Sequence, residues 1–403
     1  MRYSERVENL KPSATLALFS RVQEMQEQGE DIISFCTGEP DFFTPDPIKR
    51  SGIQAIQQNK SFYSPISGIS PLKAVICSKF AEENSISFEK DEIIISNGAK
   101  QILFNALAAL INPGDEVIII TPYWVSYPNI VKFFEGIPVL VKCDRDFYPD
   151  TEEFKRKLSQ KTRCIILCSP NNPAGCVYPR TLLSELIEII QDKDIFLISD
   201  EIYEHLIFTD DLHYSPASYS EVMKNKTLTI NGLSKTFAMT GWRIGYAGGP
   251  KKWIKAMEKI QGQSTSGPNT IAQYAAIEAI SQSLKHTGVC ERLHQMLKSY
   301  QRRCEMVVAE VQKTPGLQVH TPQATFYALI NAEGLIAKLH EKGEIHDNTD
   351  AALSEWLLKK ARVATVPGVA FGIPGYLRVS FSVSDKLISY GFSRIRDNIA
   401  YFF

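Results

Sequence analysis

Charge of one sign is missing from this chain: across 403 residues, 44 Lys and Arg meet 45 Asp and Glu, for a formal net charge of −1. That balance gives no basic surface of the kind that binds nucleic acid or an anionic membrane. No apolar run approaches the about 18 residues that a membrane span requires. The amino terminus, MRYSERVENLKPS, is charged where a secretory signal would be apolar. A cytoplasmic location is therefore expected. Paired cysteines are missing as well. Cys36, Cys77, Cys143, Cys164, Cys168, Cys176, Cys290 and Cys304 are scattered among apolar residues with no C-x-x-C pair, so reduced, mostly buried thiols are expected. The seven histidines are dispersed, and no metal site is expected from them.

What is present is ordinary for a folded protein: 44% hydrophobic and 22% charged residues, with no repeat and no low-complexity tract. The length suggests two or three domains. After a charged amino-terminal arm, residues 16–29 read as an amphipathic helix, followed by IISFCTGEPDFFTPDP, whose Pro and Asp mark a loop or a crossover. From about residue 70 to 250, helical segments such as 101–111 alternate with β-branched runs at 92–96, 116–121, 163–169, 195–200 and 227–231. Strands alternating with helices predict an α/β fold with a mainly parallel sheet covered on both faces. Residues 288–314 are strongly helical. Short strands and helices follow to the end, with a polar insertion at 341–350. This change predicts a smaller α+β unit, giving an arm with part of the small domain at 1–45, a large domain at 46–290 and a small domain at 291–403.

In such sheets ligands bind beyond the carboxyl ends of the strands. Those positions hold Gly98, Ala99 and Lys100 opening a helix; Tyr123 and Trp124; Asn172; Asp200 and Tyr203; and Lys235, with Arg243 shortly after. Alone, each has a bland reading: a surface lysine, a capping aspartate, a core tryptophan, a turn asparagine. Together they suit pyridoxal phosphate. A desolvated lysine amine can bond to the cofactor aldehyde, and an aspartate can hold the pyridine nitrogen protonated. Amides at a helix start with an arginine can bind its phosphate. Asn172 and Tyr203 can hydrogen-bond the ring oxygen, and Trp124 can stack on the ring. GWRIGYAGG, by contrast, lacks the G-x-G-x-x-G spacing of a dinucleotide site.

With these motifs in hand, the chain resembles the class I aminotransferases of the pyridoxal phosphate fold type I, and most closely the bacterial aspartate aminotransferase subgroup Ib. The match runs essentially end to end, through KPSAT (11–15), GEPDF (38–42), NGAKQ (97–101), PYWVSYP (122–128), SPNNPAG (169–175), SDEIYEHL (199–206), SKTFAMTGWRIGY (234–246) and YLRVSFS (376–382). The resemblance implies a seven-stranded, mainly parallel sheet flanked by helices, plus a smaller α+β domain. It implies that Lys235 carries the cofactor and shuttles the proton, Asp200 pairs with the pyridinium, Asn172 and Tyr203 bind the ring oxygen, Trp124 stacks and Arg243 binds phosphate. Arg378 would clamp the substrate α-carboxylate beside Gly38 and Asn172, and Tyr63 would reach the phosphate of a neighbouring subunit, making the protein a homodimer with shared sites. The expected reaction is ping-pong transamination.

For the substrate side chain, the resemblance assigns Lys100, Ser13 and Thr15 to a distal carboxylate, which favours L-aspartate with 2-oxoglutarate. An alternative is an aromatic amino acid or prephenate aminotransferase on the same fold, because Phe43 stands where many subgroup members carry an acid near the expected substrate entrance. Ala174 replaces the usual Thr of SPNNPTG, and Cys36 and Cys176 flank site motifs.

Overall fold

The computed structural model describes residues 3–8, 10, 14–285 and 288–403. Ser13 lies outside the described residues, and Thr15 is described only as part of the helix Ala14–Glu27. The first strand is β1 (Ile33–Ser34). The next seven, β2 (Ile93–Ser96), β3 (Glu116–Ile120), β4 (Ile137–Val141), β5 (Thr162–Cys168), β6 (Phe196–Asp200), β7 (Thr227–Gly232) and β8 (Gly245–Gly248), form one sheet in the order β2-β8-β7-β6-β5-β3-β4. Neighbours from β7 through β4 run parallel, and only β8 runs antiparallel, against both β2 and β7. β2, β6 and β7 are almost wholly buried along their length, as Ile- and Leu-rich strands covered on both faces must be.

The sequence reading locates five of these strands to within two residues at each end. It misses β4 and β8. β4 lies at the sheet edge with only Val141 buried and carries a proline, and β8, GYAG, is glycine-rich with little β-branching. The expectation of a mainly parallel sheet holds, with β8 as the exception.

The remaining strands are β9 (Gln318–Val319), β10 (Tyr327–Asn331), β11 (Val363–Ala364), β12 (Val366–Pro367) and β13 (Tyr376–Ser380). They build a four-stranded antiparallel sheet, β12-β13-β10-β9, while β1 pairs in parallel with β11. Ile33 and Phe35 share one buried cluster with Tyr300, Phe326, Leu335, Trp356 and Phe392, so the segment after the first helix packs with the carboxyl-terminal third. Ile202, Tyr203 and Leu206, just past β6, belong to that same cluster and tie the two sheets together. The helix Gly288–Gln312 spans most of the predicted segment. The polar stretch at 341–350 is mostly exposed, and Asp350 opens the helix Asp350–Trp356. All eight cysteines are free thiols, five of them buried. Among the described residues no helix is long and apolar enough to cross a membrane.

Candidate active site

Six strands of the large sheet end at one edge, so the residues just beyond them converge. The reversed β8 starts at that edge, with Gly245 opposite both Ser96 and Gly232. Arg243, two residues before β8, therefore joins the ends of β2 and β7. Facing this edge is β13, whose Arg378 pairs with Leu329 of β10 and Val366 of β12. Between them lies a cavity of about 360 Å³. Gly38, Ala99, Lys100, Trp124, Asn172, Asp200, Tyr203, Lys235, Arg243 and Arg378 all line it, as the sequence motifs require.

Asp200 ends β6 and is buried. Its Oδ2 accepts a 2.6 Å hydrogen bond from the Tyr127 hydroxyl, itself fully buried, and Oδ1 accepts weakly from the Ile202 amide at 3.4 Å. Burial pushes the carboxyl up to about 6, against the pull of Tyr127 and the Ile202 amide. Lys235, in the short helix after β7, is partly open to the cavity yet enclosed by protein, and its Nζ donates to the Gly38 carbonyl at 2.5 Å. Burial lowers its pKa to about 8. Glu39 opposes that shift, whereas the nearby guanidinium groups of Arg243 and Arg378 add to it.

The anion-binding corner departs in one detail from the sequence reading. Gly98 precedes the helix Ala99–Leu110, but its amide is already bonded to the Ser96 carbonyl at 2.8 Å. The amides of Ala99 and Lys100, in the first turn, are the ones without intrahelical acceptors. Gly98 serves instead by its shape. Its φ is +92°, and a Cβ there would fall 2.4 Å from Arg243 Nη2. Arg243 itself sits in the left-handed region, φ 56°, with its guanidinium held by the Thr240 carbonyl at 2.8 Å and the Asn97 carbonyl at 3.4 Å. At Gly245 a Cβ would meet the Ala99 amide nitrogen at 2.3 Å, so this cradle requires a hydrogen at both positions.

On the opposite wall, Arg378 is buried. Its Nη1 donates to Asn172 Oδ1 at 3.3 Å and its Nη2 to the Cys36 carbonyl at 3.2 Å, while Nε is buried without a partner among the described residues. The guanidinium lies between the rings of Tyr327 and Phe371, at 4.4 and 4.9 Å. Tyr203 and Tyr327 bring their hydroxyls within 3.4 Å. Lys100 lies over the Trp124 ring at 4.8 Å, its pKa lowered by burial and by Arg243.

Two expected residues are elsewhere. Tyr63 is 96% exposed and stands outside this cavity, alongside exposed Phe62. Phe43, also exposed, lines a second cavity with Phe42, Phe237 and Met296 and is not among the residues lining the first. Cys36 and Cys168 do line the site, but burial pushes both thiols up to about 12, leaving them protonated. Sequence reasoning missed Tyr127 and Tyr327. Tyr127 stands in the first turn of the helix Ser126–Phe133 and meets the ring of Trp124, just before that helix, edge to face at 5.5 Å. Tyr327 arrives from the small sheet and carries no local signal.

The aminotransferase class I and II family matches residues 30–395. A probable aspartate/prephenate aminotransferase of Aquifex aeolicus is 40% identical, the alignment covering 98% of this chain and 97% of that protein. The aspartate aminotransferase of Rhizobium meliloti is 38% identical, over 97% and 95% of the two chains. Among solved structures, the Thermus thermophilus aspartate aminotransferase with maleate superposes with a TM-score of 0.91 at 39% identity, covering 98% of this chain and all of that one. The Rhizobium meliloti aspartate aminotransferase structure gives 0.92 at 36% identity, with 99% of each chain covered.

Proposed function

The chain belongs to the class I and II aminotransferases, and from that premise we propose that it transfers the amino group of L-aspartate to 2-oxoglutarate, using pyridoxal phosphate, as a homodimer. The observation that carries this reading is the meeting of Asp200 and Lys235 in one cavity, the first kept ionisable near 6 and the second lowered to about 8. Three features fit the cofactor. Asp200 is a buried carboxylate whose bonded neighbours are neutral, and it suits a cationic ring nitrogen. The cradle at Gly98 and Gly245, with Arg243 and two free amides, suits a phosphate. Trp124 offers an aromatic face to the cavity.

When bound, pyridoxal phosphate acts as an electron sink that weakens the Cα–H bond of an amino acid. The rest falls to the chain. Arg378, fixed by Asn172 and the Cys36 carbonyl and flanked by two rings, presents a planar fork for the α-carboxylate. Lys235 Nζ, with a substantial neutral fraction near pH 8, accepts the Cα proton and returns it, and the Gly38 carbonyl orients that amine. Tyr203 and Asn172, which also line the cavity, would hold the ring oxygen of the cofactor by hydrogen bonds. Tyr63, unused by its own chain's cavity, would complete the phosphate site of the partner subunit.

Lys100 is the group suited to a side-chain carboxylate, with Ser13 and Thr15 as its proposed companions. Prephenate or an aromatic amino acid is the second reading, supported by relatives that carry the aspartate/prephenate name. Lys100→Met separates the roles. The KM for L-aspartate should rise at least about tenfold and that for L-tyrosine change little, in line with loss of one charge-assisted contact. Equal changes for both amino acids would remove Lys100 from side-chain recognition.

A further inference from the structure

Outside the cavity lining, next in sequence to Asp200 and Tyr203, lies a cluster of charged and polar side chains that the chemistry above does not use. Lys79 is 2% exposed, and its ammonium pairs with Glu204 and donates to Asn84 Oδ1 at 2.6 Å. Glu204 also accepts from Asn84 Nδ2 at 2.7 Å and from Asn231 Nδ2 at 2.5 Å. Glu201, fully buried, accepts from Ser199 at 2.7 Å, Ser215 at 2.6 Å and His213 Nε2 at 2.8 Å. At the margin, His205 joins Glu83 at 3.0 Å and approaches the Thr236 hydroxyl at 3.4 Å. Burial would raise the pKa of Glu204, but Lys79, His205 and His213 outweigh it and hold it at about 2. Two carboxylate and histidine groupings here have the spacing of a metal site, but the oxygens of Glu204 are already taken by Lys79, Asn84 and Asn231, so the ammonium is the cation of this cluster.

A buried ion pair is a poor stabiliser, since desolvation of both charges offsets their attraction. Its connections suggest another use. Glu201 and Glu204 directly follow Asp200 and Tyr203. Asn231 Oδ1 accepts the Gly232 amide at 2.7 Å at the start of the turn that carries Lys235, and Thr236 follows Lys235. We infer that the cluster centred on Lys79 and Glu204 is a positioning device, which locks the turn bearing Asp200 and Tyr203 to the turn bearing Lys235 so that the three groups keep one spacing around the cofactor. The inference rests on the cofactor reading above, and Lys79 and Glu204 act only through the residues they brace.

The test compares Lys79→Met, Glu204→Gln and the double variant with the wild type. Glu204→Gln leaves the buried Lys79 ammonium with only Glu83, 3.5 Å away, and Lys79→Met leaves the buried Glu204 carboxylate without its ammonium, so each should lower the melting temperature; the double removes both charges and should regain most of that loss. The dissociation constant for pyridoxal 5'-phosphate should nevertheless stay roughly tenfold weaker in the double variant. Amide hydrogen exchange in the cofactor-free protein should stay faster at residues 200–206 and 231–236. A double variant that regains stability, wild-type affinity and wild-type exchange would reduce the cluster to packing and overturn the inference. Should the core variants fail to accumulate as folded protein, His205→Gln gives the same test at a half-buried position, with affinity weakened about threefold and exchange faster at 231–236. Unchanged values there also overturn it. Failure of the wild type to bind pyridoxal 5'-phosphate would instead refute the cofactor reading, and the exchange comparison would still decide the bracing.

Discussion

Replacing Tyr127 with Phe isolates the bond that keeps Asp200 ionisable. The hydroxyl donates to Asp200 Oδ2 at 2.6 Å inside a fully buried pair, and burial has already pushed the carboxyl to about 6. A hydrogen bond to a charged acceptor contributes about 1.5–3 kcal/mol, and 1.36 kcal/mol corresponds to one pKa unit, so Tyr127→Phe should move Asp200 to between about 7 and 8. At pH 7 the carboxyl would pass from mostly ionised to half protonated or more. A proton on Asp200 removes the charge that should hold a cationic ring nitrogen, so cofactor affinity at pH 7 should fall and recover as pH rises above 8. Stability has its own sign. The folded pKa lies above the unfolded value of 3.8, so the unfolded chain ionises first and stability declines as pH rises from about 4 to 6, by roughly 3 kcal/mol from this group. In the variant that decline should continue to about pH 8. Carbon-13 NMR of labelled aspartate carboxyls in the cofactor-free protein reads the titration directly. An Asp200 midpoint unmoved, or moved downward, in Tyr127→Phe would refute the reasoning.

Gly98→Ala should lower stability by about 1–3 kcal/mol, since it forces a side chain into φ +92° and against Arg243. Thermal unfolding of the cofactor-free protein checks it, and cofactor affinity should drop in parallel. For Lys235, the amine of the cofactor-free protein should react with an amine-directed reagent at a rate that rises through a midpoint near pH 8, because only the neutral form reacts. A midpoint above 10 would mean that burial does not act on this amine.

Much of this site was legible from sequence because five of its parts follow parallel strands, where β-branched runs mark the strand ends and the fold delivers those ends to one edge. The positions of Lys235, Asp200, Asn172, Trp124 and Ala99 along the chain therefore translated into a shared cavity. Arg243 was legible as a basic residue shortly after Lys235, but the strand that places it was not. Its strand, β8, runs backwards and is glycine-rich, and the structural reason for its place is the register of Gly245 against Ser96 and Gly232. Tyr327 and Phe371 come from segments of the small unit that no local pattern links to the large sheet. The Lys79 cluster was invisible for another reason. Lysine and glutamate are usually solvated, and nothing in the spacing of Lys79, Glu201 and Glu204 says that they share a buried space. Gly98 was assigned through its amide, whereas its neighbour Ser96 already accepts that hydrogen.

The most direct test of the central claim is the absorption spectrum of the protein reconstituted with pyridoxal 5'-phosphate, before and after L-aspartate is added without any oxo acid, run beside Lys235→Ala and with L-tyrosine in parallel. The account expects the visible band of the wild type to give way to a near-ultraviolet band, faster with aspartate than with tyrosine. Lys235→Ala should hold the cofactor through Asp200 and Arg243 but leave its band unchanged over the same time. A wild type whose band is untouched by either amino acid, or a Lys235→Ala protein that converts at the wild-type rate, would contradict it.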